Sequence, residues 1–269
     1  MKKWVISAIA YMIVVIGGYY VYAEFIKGET DDDVASSVEN HQESNKEHSH
    51  DENQVDDALG NLKANVEYTD STLEINLEDQ AGKPFHDLEV NHEKIMHLIV
   101  VDSHMETYYH LHPEKVGDGA FEVKQPLTDG EYKAFVDIKP NNQIYEVSPI
   151  LFTVGKANHG HEGDLIVDQS LEKTVDNQTV QLSLSTREPM KPVQLTFDVD
   201  RANLEPYLGA MGHVVILDEH AENFLHVHPA SETETTFETK FEQPGIYKIW
   251  AEFKQNGKVR VFPFVVEIK

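Results

Sequence analysis

His97-Leu98-Ile99-Val100-Val101-Asp102 returns later in the chain as His213-Val214-Val215-Ile216-Leu217-Asp218. Working outward, His110-Leu111-His112-Pro113 returns as His226-Val227-His228-Pro229. Both copies place the paired histidines 13 and 15 residues after the lead histidine, the proline 16 after it, and Phe121 or Phe237 24 after it. Gly130-Glu131-Tyr132-Lys133 then matches Gly245-Ile246-Tyr247-Lys248 with a slip of one residue. Matched spacing of this kind marks a duplicated unit. We therefore expect two tandem domains over residues 61–155 and 165–269, with a link over 156–164 that carries His159 and His161.

The periodicity within each copy is that of strands. Leu73-Glu74-Ile75-Asn76-Leu77 and Val180-Gln181-Leu182-Ser183-Leu184 alternate apolar and polar residues, which suits half-buried strands. Short strands broken by Gly, Pro and Asn turns, in units of roughly 95 to 105 residues, indicate antiparallel sandwiches. The fold class expected is all-β, with two tandem immunoglobulin-like or cupredoxin-like β-sandwiches behind an N-terminal transmembrane helix and a disordered acidic linker.

The N-terminal expectations come from composition. Lys2 and Lys3 precede the uncharged stretch Trp4 to Ala23, close to the about 20 residues that a membrane-crossing helix needs. Region 1–27 thus reads as a membrane anchor. Basic residues on its short side put the N-terminus in the cytoplasm, giving a single-pass cell-membrane protein with extracellular C-terminal domains. Val21 and Ala23 also fit a signal-peptidase site, so cleavage after Ala23 and secretion stay open. Residues 28–60, with Asp31, Asp32, Asp33 and the histidines His41, His48 and His50, bury too little to offset ordering entropy and read as a disordered linker. Over the 269 residues, 22 Lys plus Arg face 47 Asp plus Glu, a net charge of −25 that argues against nucleic acid as a partner. The absence of cysteine removes disulfides, thiolate metal sites and cysteine nucleophiles together.

Histidine numbers 15, and its placement carries the functional reading. Alternation on a strand puts His110 and His112 on one face and turns Leu111 inward, as Val227 turns inward in copy two. Odd spacing lets His97 oppose either of the pair across a hairpin, and the same holds for His213 with His226 and His228. Three neutral imidazoles on strands suit Zn(II) or Cu(II), with a fourth position for water or another side chain. His92, Met96 and Met211 are further candidates, although the two methionines stand at unequal offsets from the lead histidines. His104 and His220 fall in loops. Imidazoles bonded to loop backbone on a polar strand edge are the purely structural alternative. Pro113 and Pro229 end their strands by withholding a ladder donor. A cupin would use His226, His228 and Glu232, but His220 stands where its glycine is expected and copy one has Glu114 out of place.

The motifs resemble those of exported bacterial β-sandwich domains similar to YtkA-like secreted proteins. The likeness rests on His92 through Val101, His110 to Pro113, Gly119-Ala120-Phe121 and Gly130-Glu131-Tyr132 in copy one, and on Tyr207 through His213 and His226 to Pro229 in copy two. It covers about 61–269 and implies a sandwich outside the membrane with a link to copper or other heavy metals. It implies no activity. Leu208 in copy two stands where copy one has His92, so no four-histidine site common to both copies follows from it.

The expected function is an exported, membrane-anchored, non-enzymatic protein that holds copper or zinc at one three-histidine site per sandwich, for buffering, acquisition or delivery. Acidic surface would concentrate the cation and imidazoles would hold it. One alternative is a non-catalytic structural or adhesion module whose loops bind a protein partner. Another is a zinc-dependent hydrolase using an open coordination position, for which spacing singles out no general base.

Overall fold

A computed structural model describes residues 62–156 and 165–269, His226 excepted. Among the described residues the regular elements are strands, and the named strands pair antiparallel. The first copy contains β1 (Lys63–Thr69), β2 (Thr72–Glu78), β3 (Leu88–Glu89), β4 (Met96–Asp102), β5 (Tyr108–Leu111), β6 (Glu114–Gly117), β7 (Ala120–Lys124), β8 (Gly130–Pro140) and β9 (Ile150–Val154). One sheet runs β1-β2-β7-β6 and the other β3-β8-β4-β5, with β9 added to β8. The second copy contains β10 (Glu172–Val175), β11 (Gln178–Leu184), β12 (Pro192–Val199), β13 (Leu204–Glu205), β14 (His213–Asp218), β15 (Phe224–Leu225), β16 (His228–Pro229), β17 (Thr236–Lys240), β18 (Gly245–Gln255) and β19 (Lys258–Ile268). Its sheets run β10-β11-β12-β17-β16 and β13-β18-β14-β15, with β19 on β18. The described residues form two tandem all-β sandwiches.

Local sequence explains the hairpins. Asp70-Ser71 and Asp176-Asn177 take positive φ at both positions, and Asn256-Gly257 does the same between β18 and β19. That is the geometry of tight turns matched to strand twist, which short polar residues and glycine tolerate. Each sandwich then fills its own interior. Leu73, Ile75, Leu77, Leu98, Val100 and Phe121 meet in the first, and Leu182, Leu195, Phe197, Phe237, Phe253 and Phe264 in the second.

β4 and β14, like β8 and β18 beside them, are covered on both faces. Leu98 and Val100 point into the first core, while Ile99 and Val101 point the other way, into a third cluster with Phe135, Met105, Val215, Leu217, Ala221 and Trp250. That cluster joins the sandwiches, which lie within one compact unit, Glu52–Lys269. Its contacts come in related pairs. Tyr108 stacks on Trp250 with centroids 4.8 Å apart, and Phe224 packs on Phe135 at 6.0 Å. The Lys248 Nζ donates to the carbonyl of Met105 at 2.7 Å, and that of Lys133 donates to the carbonyl of His220. Because Phe135 and Trp250 face Ile99 and Val215 in matching registers, the junction is an approximate two-fold contact between the copies. At Gly212 the backbone has φ of +157°, and a Cβ there would stand 2.6 Å from the Phe253 ring and 2.9 Å from the Glu252 carbonyl. Glycine is what lets β14 start so close to β18.

The expected N-terminal transmembrane helix is corrected here. Among the described residues no helix is long and apolar enough to cross a membrane, and the stretch that suggested one, residues 4–23, lies outside them. The single-pass cell-membrane placement and the membrane as a partner therefore have no support among the described residues. The linker expected over 28–60 and His159 and His161 also lie outside the described residues.

A junction this apolar couples the two sandwiches. Trp250→Ala is expected to cost about 3–5 kcal/mol and to split one calorimetric unfolding transition into two. A single transition at an unchanged temperature would contradict that coupling.

Candidate metal centre

The two-residue period of β4 puts His97 on the same face as Ile99 and Val101, toward the junction. Ile99 pairs with His110 and Leu98 with Leu111, so β5 brings His110 to that face and turns Leu111 into the first core. Continuing the register places His112 opposite His97, one step past the end of β5. A tight turn closes the far side, with Asn91 and Lys94 exchanging backbone hydrogen bonds of 2.7 and 3.0 Å. Its central residues are His92 and Glu93, with φ of 46° and 67°, where Asn-Gly is the favoured pair. The turn sets the His92 ring 6.1 Å from that of His97.

The ligand-type nitrogens of His97, His110 and His112 all lie within 4.8 Å of one another. His97 is 1% exposed, so its two ring nitrogens must find partners inside the protein. Its Nε2 sits 2.9 Å from the Asn91 carbonyl, which only accepts, so that nitrogen carries the hydrogen. His110 Nδ1 sits 2.8 Å from a carboxylate oxygen of Glu252 and by the same reasoning is also a donor. In the neutral rings this leaves lone pairs on His97 Nδ1 and His110 Nε2, which face each other at 2.8 Å. Two lone pairs at that distance repel; a proton shared between the rings relieves this as they stand, and a metal ion does so once the nitrogens part to about 3.3 Å. His112 Nε2 is buried with no hydrogen-bond partner. Outer nitrogens tied to a carbonyl and a carboxylate, with inner nitrogens converging, is the arrangement that orients imidazole ligands on a metal.

Electrostatics keep His97, His112 and His213 neutral, the form in which an imidazole can ligate a metal. Burial, partly opposed by the Asn91 hydrogen bond and reinforced by His110, His112 and His92, lowers the His97 pKa from 6.5 to about 3. Burial, with His110 and Lys94, lowers that of His112 to about 4. The same desolvation and the neighbouring imidazoles hold His213 well below the ordinary histidine range. Burial and the Glu252 carboxylate push the Tyr108 phenol well above its usual value, so it stays protonated beside the carboxylate that holds His110.

Copy two does not repeat this cluster, which corrects the expectation of one three-histidine site per sandwich. Among the described residues the structure groups one such set, and it belongs to copy one. The cause is where the chain changes sheet. β5 stays on β4 for four residues, whereas β15 stays on β14 for two, Phe224 and Leu225. His228 is then carried to the other sheet, where it pairs with Glu238 and is exposed. The His226 side chain lies outside the described residues. His213 instead joins copy one's cluster, with its ring 5.6 Å from His97, 4.7 Å from His110 and 5.5 Å from His92. Met96 faces the first core opposite Ile138 and is 1% exposed. Met211 sits in a bridge to Tyr207 ahead of β14. His220 is exposed and contributes its carbonyl to Lys133.

Glu252 escaped the sequence reading. Its signal was present: it is the acidic residue within the otherwise apolar run Ile249-Trp250-Ala251-Glu252-Phe253, and it pairs with His213 as Asp137 pairs with His97. What spacing alone does not convey is that Glu252 reaches across to the other copy.

A family model described as a domain of unknown function, DUF8832, matches residues 48–155 and again 173–269. No curated protein matches the chain. Among solved structures, FdeC, an Escherichia coli adhesin, is 14% identical with a TM-score of 0.24, over 77% of this chain and 64% of that one. A tetra-tandem repeat from the extending region of a large adhesion protein is 11% identical with a TM-score of 0.26, over 78% and 49%. The D00-D0 domain of Intimin is 13% identical with a TM-score of 0.21, over 76% and 98%. The chain thus spans less than two thirds of the first two, and scores this low give these likenesses no weight for function.

The depressed histidines set a direction for pH. Between pH 6.5 and about 3 the unfolded chain binds protons that folded His97 excludes, so stability is full above the unfolded pKa and falls as pH drops through it. Urea unfolding of metal-free protein from about pH 7.5 to about 4.5 should show that decline, and His97→Leu should flatten it. Stability that rises on acidification would contradict the burial of neutral imidazoles.

Proposed function

The chain belongs to the DUF8832 family of domains of unknown function, and on that footing we propose that it is a non-catalytic structural module, of adhesion type, built around one internal metal ion. His97, His110 and His112 are the ligands, and Zn(II) or Cu(II) is the ion, since the donors are imidazoles without thiolate. The two joined sandwiches hold their loops in a fixed relation, which suits presentation to a protein partner. Kinship with YtkA-like exported domains, carried by His110-Leu111-His112-Pro113, is part of the same proposal.

The observation that supports the metal reading is the meeting of His97 Nδ1 and His110 Nε2 at 2.8 Å, each ring's other nitrogen being held by an acceptor. A bridging proton would relieve the repulsion for one pair only. A metal ion satisfies that pair and His112 Nε2 together.

Titration of the full chain with Zn(II) and Cu(II), followed calorimetrically, tests this. One tight equivalent per chain is expected, abolished in His97→Ala and His110→Ala and retained in the double variant His226→Ala/His228→Ala. No binding tighter than millimolar, about −4 kcal/mol, would overturn it, as would two equal sites.

A further inference from the structure

The cluster is not the property of one sandwich. His97, His110 and His112 come from the first, while the carboxylate that holds His110 comes from Glu252 of β18 and the ring beside His97 is His213 of β14. His213 and Glu252 are paired across adjacent strands and so reach the junction together. The Glu252 and His110 side chains are each 2% exposed, which makes this cross-junction hydrogen bond a buried one. A charged partner lost from such a bond leaves the other group unsatisfied.

Ring spacing argues for His213 as more than a neighbour. Four imidazoles on one tetrahedral ion, with nitrogens at about 2.0–2.1 Å, place their ring centroids about 5 Å apart. Within the first three residues the centroid separations are 5.1, 5.1 and 4.9 Å. His213 adds separations of 5.6 and 4.7 Å to His97 and His110, but its ring lies nearly parallel to that of His97, at 9° between planes, so an ion in the plane of both needs that stack opened. Its nitrogens are outside the tightest grouping, so ligation requires its ring to turn toward the other three. Gly212 before it, with no side chain, keeps β14 close to Glu252 and fixes where that ring starts.

Resting on the metal site proposed above, we infer that the ion is held across the junction, with His213 as its fourth ligand and Glu252 as the positioning residue for His110, so that loading the site latches the two sandwiches together. Copy one supplies three ligands, and copy two supplies the fourth and the orienting carboxylate. The second copy's paired histidines are not needed for this. Duplication then has a structural use: the tandem, and not the single domain, is the metal-binding unit.

The test uses the full chain with Zn(II) and Cu(II) as probes, comparing wild type with His213→Ala, with His213→Gln, which keeps more of the side-chain bulk, and with Glu252→Gln. Circular dichroism establishes that each variant is folded. We expect tenfold or greater weakening of metal affinity in each, and loss of one nitrogen from the Cu(II) electron paramagnetic resonance pattern in the two His213 variants only. Glu252→Gln should weaken binding while keeping all four nitrogens. Metal should slow amide hydrogen exchange in β14 as well as in β4 of the wild type, and in the His213 variants the β14 protection should vanish. Wild-type affinity and an unchanged nitrogen count in folded His213→Gln would overturn the latch while leaving the three-histidine site standing. Absence of metal binding to the wild type would overturn both.

Discussion

β4 and β14 are covered on both faces, and the position of every polar group at the junction follows from that. Water cannot reach the middle of this contact, so an imidazole or carboxylate placed there must be matched inside the protein. The chain meets the requirement on its outer side with the Asn91 carbonyl and the Glu252 carboxylate. On the inner side it turns nitrogen toward nitrogen. An arrangement satisfied outside and opposed inside is ready for a cation, and this constraint gives the histidine cluster its chemistry.

Approximate two-fold symmetry also bears on why the described residues hold one such cluster. The lead histidines stack across the junction, His97 on His213, at 5.6 Å and 9° between planes. Two complete triads built around them would compete for the same space. Copy one keeps its paired histidines there because β5 continues along β4 as far as Leu111. Copy two leaves β14 after Leu225 and spends His228 on an exposed strand. The copies have become complementary, one giving most of the imidazoles and the other the long carboxylate. Glu252 is one methylene longer than Asp137, its counterpart, which suits a reach across to the other sandwich.

Much of this architecture was legible in the sequence. Alternation at Leu73 to Leu77 and at Val180 to Leu184 marks strands because their faces meet core and solvent in turn, as the burial of Leu73, Ile75, Leu77, Val180 and Leu182 shows. The unbroken runs Leu98 to Val101 and Val214 to Leu217 carried a further message, since an apolar strand without alternation is one buried on both faces. Read only as a repeat, they announced duplication and concealed the junction. Spacing could not tell His112 from His228, because the point at which a chain changes sheet depends on packing around it. Nor could it find Glu252, whose partner lies 142 residues away in the chain.

One metal ion shared by both sandwiches would be seen by anomalous diffraction from crystals of the full chain grown with Zn(II) or Cu(II). A single strong peak is expected, at the metal's absorption edge, among His97, His110, His112 and His213. A peak within each sandwich, or none in the junction, would contradict it.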